Sequence, residues 1–220
     1  MFQNNLLMAA AGGVKADATI DYNAQSNSGT DLTTYTFSSI SIGTAAGNRT
    51  VIISIACHRA YPYTGDVGIS SVTIGGSTAS NAITSSDGNM LSAIYYLDVS
   101  SGTTADIVIT CLAKQLKCGI GSYAAYGAST EGIVTNSYRQ FSTSSMTLDV
   151  TAGSVTVGVS QNNHTNASTS WTGLTKDFGI APDPNYSGAH VASAAAATLT
   201  ISCDWPTEDS GKTVAACFKI

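Results

Sequence analysis

The chain of 220 residues combines a high apolar content with very little charge, and this combination restricts what the protein can be. Charged residues make up only 10% of it, against about 25% in an average soluble protein, and Ser and Thr fill about a quarter. A net charge of -5, with nine Lys and Arg spread along the chain, offers no basic stripe to neutralise phosphates. We therefore expect no nucleic-acid partner.

The apolar segments are interrupted by Ser, Thr and Gly and alternate with a period of two, which is not the pattern of a membrane span. The start of the chain lacks the positively charged region of a secretory signal, and its apolar stretch, residues 6–11, is too short for one. We expect no membrane partner and synthesis in a cytoplasm. Five cysteines without metal-binding spacing predict buried thiols and no metal site.

Residues 1–16 have the composition of an arm. They are poor in charge and pass through two glycines before the first strand candidate at 19–22. An arm of this kind is disordered when alone, so we expect it to be held by a contact, either with a neighbouring molecule or with its own domain. The remainder, 17–220, has the length of one large β domain. The predicted assembly contacts are the four large apolar side chains of the arm, Phe2, Leu6, Leu7 and Met8.

Alternation of apolar residues first appears at 36–42 and is strongest from Val51 to Cys57, where Ile52, Ser54 and Ala56 form the opposite face. Next along the chain, Gly75-Gly76 lies between two β-compatible runs and supplies the positive φ angles of a tight hairpin. Residues 91–99 and 106–110 are predicted to be strands, joined by a polar turn at 100–104. These segments predict antiparallel strands.

Cys111 and Cys118 fall opposite one another if Lys114-Gln115 forms the tip of a short hairpin. A cross-strand disulfide is then conceivable. Directly opposed cysteines are a strained setting for that bond, and cytoplasmic synthesis favours free thiols, so two packed thiols are the default expectation.

The later predicted strands are 146–150, 154–161, 197–205 and 213–220, and segments 161–173 and 179–190 are predicted as long polar loops. No window shows a convincing helical period outside residues 6–11, and no repeat of fixed period is visible. The prediction is an all-β fold, a single antiparallel β-sandwich with jelly-roll-like topology.

The histidines do not suggest a catalytic centre. His58, His164 and His190 lie in unrelated contexts, without a nucleophile elbow or a cysteine at an identifiable turn. Two groups of acidic residues, at 177 and 183 and at 204–209, lack the spacing of a calcium loop and are interpreted as solvated turns. We expect neither an enzyme nor a cofactor.

Aromatic residues offer the best case for a binding site. Their rings lie in or beside predicted loops, where they could stack on sugars, although tryptophans that close the ends of the core and tyrosines that fill loop interiors are commoner. The glycan-binding candidates are Tyr61, Tyr63, Trp171 and Tyr186.

The order of these elements resembles a β-sandwich domain of bacteriophage virion proteins and of some bacterial surface proteins. The resemblance covers about residues 35–220, and residues 2–8 are similar to the short N-terminal arm of a phage structural protein. The segments that carry it are the strand at 48–55, the hairpin at 71–76, the strand at 94–99 with its turn at Gly102, residues 118–127 and the closing strand.

The resemblance implies a non-enzymatic virion structural protein. The leading expectation is a head decoration or cement subunit, synthesised in the host cytoplasm, that uses its arm on the major capsid protein or on tail proteins and forms a homo-oligomer in the assembly. The alternative is a tail-fibre or receptor-binding module that recognises a host surface glycan.

Overall fold

A computed structural model describes residues 17–59, 67–140, 145–162, 169–180, 185–205 and 211–219. Within these ranges the chain forms antiparallel β-sheets that pack against each other, which confirms the all-β sandwich prediction. The strands are β1 (Thr19–Ser28), β2 (Leu32–Ser41), β3 (Arg49–His58), β4 (Ile69–Ile74), β5 (Ser77–Thr78), β6 (Ser80–Asp87), β7 (Met90–Asp98), β8 (Thr104–Gln115), β9 (Lys117–Tyr126), β10 (Ser129–Gln140), β11 (Met146–Val150), β12 (Ser154–Asn162), β13 (Ser170–Thr172), β14 (Thr175–Ile180), β15 (Asn185–Ser193), β16 (Ala197–Asp204) and β17 (Gly211–Lys219).

The strands separate into two sets at Gly127. Strands β1–β9 form sheet I, in the order β1-β9-β3-β7-β6, and sheet II, in the order β2-β8-β4-β5. Strands β10–β17 form sheet III, in the order β10-β17-β12-β15-β14, and sheet IV, in the order β11-β16-β13. Each set therefore builds its own pair of sheets, and we call the sets the first half and the second half.

Both halves have the same connectivity. In the first half the first strand pairs with the last (β1 with β9), the second with the penultimate (β2 with β8), and β3 with β7. The second half repeats this scheme with β10 and β17, β11 and β16, and β12 and β15. A long hairpin folded over itself into two sheets has the arrangement of a jelly roll, so the chain contains two successive jelly-roll units.

Three apolar cores show that the sheets stack in the order II, I, III, IV. The first core packs Tyr35 and Phe37 of sheet II against Val51 and Ile53 of sheet I. The central core joins the halves, because it contains side chains of sheets I and III together. The third core packs sheet III against sheet IV. Two sandwiches thus lie face to face.

Strand β3 shows how the sequence dictates this stacking. Its residues from Arg49 to Cys57 are all buried, because Val51, Ile53 and Ile55 face the first core while Ile52 faces the central core. A strand covered on both faces must lie in an inner sheet. Strand β17 has the same role in the second half, where Val214, Ala216 and Phe218 enter the central core.

The predicted strands and the Gly75-Gly76 hairpin are present, with φ angles of 58° and 83° at the two glycines. Two expectations were wrong. Segment 179–190 is not a long loop, because residues 185–193 form the buried strand β15 between β12 and β14. Strands β8 and β9 do not form a hairpin, because the chain crosses from sheet II to sheet I between them. Within the described ranges, no helix is long and apolar enough to cross a membrane.

Candidate functional site

A polar pair, Asp177 and His190, lies between the two halves at the edge of the central core. Asp177 is at a bulge of strand β14, marked by a register shift between Lys176 and Phe178, and His190 follows on the neighbouring strand β15. His190 Nδ1 lies 2.8 Å from each Asp177 carboxylate oxygen, and the side chains are 22% and 6% exposed, respectively. Since a carboxylate only accepts hydrogen bonds, Nδ1 carries a proton and donates it toward Asp177.

Two tyrosines of the first half cover this pair. The Tyr123 ring stands edge-on to His190 at 6.0 Å between centroids, and the Tyr22 ring lies 5.6 Å from that of Tyr123. Burial, followed by the negative charge of Asp177, raises the pKa of both phenols, that of Tyr123 well above its usual value. Both hydroxyls therefore remain protonated at neutral pH.

A histidine oriented by a carboxylate is the acid–base part of many hydrolytic sites. In the described part of the chain, however, His190 has no hydrogen bond to a serine, threonine or cysteine that could serve as a nucleophile. Its contacts instead join the halves, because Asp177 and His190 belong to sheet III and Tyr22 and Tyr123 to sheet I. The arrangement is suited to holding the two sandwiches in register.

Sequence reasoning missed this cluster. Asp177 was expected in a solvated turn, but its side chain is almost fully buried. Neither the spacing of Asp177 and His190 nor their neighbours form a recognisable motif. Only the pairing of β14 with β15 brings the two residues together. The sequences of these strands contain long side chains and glycines and do not alternate clearly between apolar and polar residues.

Glycines allow aromatic rings of sheet III to reach the backbone of sheet I. A Cβ atom on Gly119 would lie 2.1 Å from Tyr186 Cζ, and one on Gly121 would lie 2.4 Å from Phe178 Cε1. The Tyr186 hydroxyl donates a hydrogen bond of 2.9 Å to the carbonyl of Ser26. The halves are thus joined by interdigitated aromatic rings as well as by aliphatic packing.

The four glycan-binding candidates do not form one site among the described residues. Tyr186 is only 2% exposed and belongs to the central core, so it offers no surface to a sugar. Trp171 lies on the other side of sheet III, half-buried, and its indole Nε1 donates to Ser187 Oγ at 2.9 Å. Tyr61 and Tyr63 lie outside the described residues. Glycan binding by Trp171 stays a prediction.

A cleft of about 540 Å³ opens where the halves join, lined in part by Arg49, Asp98 and Ser129. The charge of Arg49 is not accessible to a ligand in this cleft, since the residue is only 1% exposed. Its guanidinium donates to the carbonyls of Val99, Gly43 and Ser101 at 2.7–2.8 Å. Arg49 therefore ties the loops of the first half together.

The five cysteines are free of disulfide bonds and buried, as expected for packed thiols. The predicted opposition of Cys111 and Cys118 is wrong, because these residues belong to different sheets. Instead, Cys118 lies opposite Cys57 on strand β3, with 3.2 Å between the sulfur atoms. In the described part of the chain, no three His, Cys, Asp or Glu side chains are placed to hold a metal ion.

The outer faces of sheets II and IV carry many hydroxyls. On sheet II, Thr34, Thr110 and Ser71 form one row across three strands, and Thr36 and Thr73 lie in the next row on either side of Val108. Their cross-strand spacing is about 4.8 Å. On sheet IV, the alternation of β16 turns Thr198, Thr200 and Ser202 outward, and β11 and β13 add Thr147 and Thr172 beside them.

The arm residues Phe2, Leu6, Leu7 and Met8 lie outside the described residues. Comparison with known proteins does not assign the chain to a family: no family model matches it, and neither the curated proteins nor the solved structures contain a match.

Proposed function

We propose that the protein is a non-enzymatic structural subunit of a bacteriophage particle, namely a decoration or cement protein of the capsid. The observation that carries this proposal is the pair of outer faces that are rich in hydroxyls and poor in charge. On strand β8 of sheet II, the outward charges are confined to Asp106 and Lys114 near the two ends, and the residues between them are Val108, Thr110 and Leu112.

Such faces suit contact with other subunits for an energetic reason. Burial of an ionised side chain without a partner costs far more than burial of a hydroxyl, whose hydrogen bonds a facing backbone or hydroxyl can replace. Threonine also contributes a methyl group to the contact. A surface with so few charges therefore tolerates close packing of many copies, and we propose that the subunit forms homo-oligomers within the particle.

The arm provides the second contact in this proposal. Residues 1–16 dock on a neighbouring virion protein, such as the major capsid protein, through Phe2, Leu6, Leu7 and Met8. Burial of a few hundred Å² by these side chains, at about 25 cal/mol per Å², gives each copy a modest stabilisation that the whole shell multiplies.

Incorporation into particles tests the proposal. Deletion of residues 2–12 and the outer-face substitution Thr110→Glu should each lower the number of copies per purified particle at least about tenfold, measured by quantitative mass spectrometry. The matched control is Ser86→Glu, on the exposed edge strand β6 of sheet I. Unchanged incorporation of both the deletion and the outer-face variant would overturn the proposal.

A tail-fibre or receptor-binding module is the second candidate, and the position of Trp171 favours it. This half-buried indole lies on β13, the edge strand of outer sheet IV, where part of the ring is accessible. Stoichiometry separates the candidates, because a decoration protein covers the shell whereas a fibre occurs in a few copies at one vertex. Glycan-array binding that disappears in Trp171→Ala would support the second candidate.

A further inference from the structure

Three thiols meet inside the first core. Cys57 on β3 and Cys118 on β9 are direct partners in the antiparallel pairing of sheet I, with their sulfur atoms 3.2 Å apart. Cys111, from the facing sheet II, lies in the same core. All three residues are at most 3% exposed. We propose that Cys57 and Cys118 are a redox modification site, which a small-molecule disulfide converts reversibly into an intramolecular disulfide.

Strand geometry permits this bond. Directly opposed residues of an antiparallel pair have Cα atoms about 4.5 or 5.5 Å apart, and both separations fall in the range that a disulfide spans. The sulfur atoms must approach by little more than 1 Å from their present contact to reach a bonding distance of about 2.05 Å. Because directly opposed cysteines form a strained disulfide, the bond should also be readily reduced, which suits a reversible modification.

The second half provides an internal contrast. It also carries one cysteine on its penultimate strand, Cys203, and one on its last strand, Cys217, and these strands correspond to those of Cys111 and Cys118 in the first half. Its third strand, β12, contains no cysteine to correspond to Cys57. The proposal therefore assigns a disulfide to the first half alone.

The reaction is two successive thiol–disulfide exchanges. One cysteine thiolate attacks a sulfur of glutathione disulfide, which forms a mixed disulfide and releases one glutathione thiol. The second cysteine thiolate attacks the protein sulfur of that mixed disulfide and releases the second glutathione thiol. The protein loses two electrons and two protons, and glutathione disulfide is reduced to two thiols. Because the thiols are buried, the exchange proceeds through local opening of the first half.

Equilibration of the full chain with mixtures of glutathione and glutathione disulfide tests the proposal, in two arms. One arm starts from the native protein, and the other refolds the chain from urea in the same buffers, so that access to the thiols does not decide the result. Intact-mass measurement should show the loss of two hydrogen atoms. Peptide mapping without reduction should join the peptides that contain Cys57 and Cys118.

Three variants sharpen the result. Cys57→Ala should abolish the bond, whereas Cys203→Ala, the matched control in the second half, should leave it unchanged. Cys111→Ala should also retain it, because Cys111 is on the other sheet. Peptide mapping of the chain without substitutions requires no variant, so it still shows which cysteines are bonded if a variant fails to fold. The absence of a bond between Cys57 and Cys118 in both arms, or a bond that joins any other two cysteines, would overturn the proposal.

Discussion

Gly119 lets the two halves approach each other more closely than any other residue type would allow at its position. The ring of Tyr186 occupies the volume where a Cβ atom would lie, and the hydrogen bond from its hydroxyl to the Ser26 carbonyl prevents the ring from swinging away. Local sequence gave no sign of this contact, since the glycine lies in β9 and the tyrosine sits in a segment that resembled a polar loop. Long-range contacts of this kind between single residues were the least predictable part of the protein.

Substitution Gly119→Ala should lower the free energy of unfolding by about 1–3 kcal/mol, because the added methyl group overpacks the central core against Tyr186. The matched control is Gly29→Ala, where no atom lies within 4 Å of the added Cβ. Urea unfolding measures both. Equal stability of the two variants would contradict the close packing of the halves.

Burial of the Cys203 thiol predicts a loss of stability at alkaline pH. Desolvation raises its pKa to about 12 in the folded chain, from 9.0. Above pH 9 the unfolded chain therefore binds fewer protons than the folded chain, and stability falls by about 1.4 kcal/mol per pH unit until the pH reaches the folded pKa. Below pH 9 this contribution is fully present.

The Cys203→Ala variant should lack the contribution of this one thiol to the pH dependence of the free energy of unfolding. Unfolding in urea between pH 9 and pH 11 should therefore show a slope shallower by about 1.4 kcal/mol per pH unit than that of the unmodified chain. Other buried groups, among them Tyr123, Tyr186 and Cys57, steepen the slope in both chains alike. Parallel slopes for the two proteins would refute the assignment.

At the scale of single elements, alternation predicted the inner strands well. Both faces of β3 carry apolar residues, and this strand lies in the middle of sheet I between β7 and β9. Strands β14 and β15 escaped prediction, because a bulge at Asp177 and the glycines at 179 and 188 interrupt their period of two. Such strands depend on pairing with a neighbour rather than on their own propensity.

The closing strand is the element whose loss should do most damage. Strand β17 lies between β10 and β12 and contributes Val214, Ala216 and Phe218 to the central core. Deletion of residues 214–220 should therefore expose apolar surface of both neighbours and leave the protein in the insoluble fraction. A soluble product with a cooperative thermal transition would show that β17 is dispensable.

For the whole molecule, the sequence predicted a sandwich but not that two jelly-roll units follow one another. Their loops differ in length, and β5 has no counterpart among the described strands of the second half, so the halves share no fixed period. Only short similarities remain. Ala46-Gly47 precedes β3 as Ala152-Gly153 precedes β12, and residues 109–111 of β8 resemble residues 201–203 of β16. The two halves share their connectivity rather than their residue identity.

The two halves share the central core, and each half alone would expose its side of that core to water. Expression of residues 1–127 and 128–220 as separate chains tests this dependence, because the cut falls between β9 and β10. We predict that each fragment alone aggregates, since it exposes apolar side chains such as Ile52 and Ile94 or Val157 and Phe218. Co-expressed fragments should purify as an equimolar complex in native mass spectrometry. Two soluble, folded fragments that do not bind each other would contradict the account.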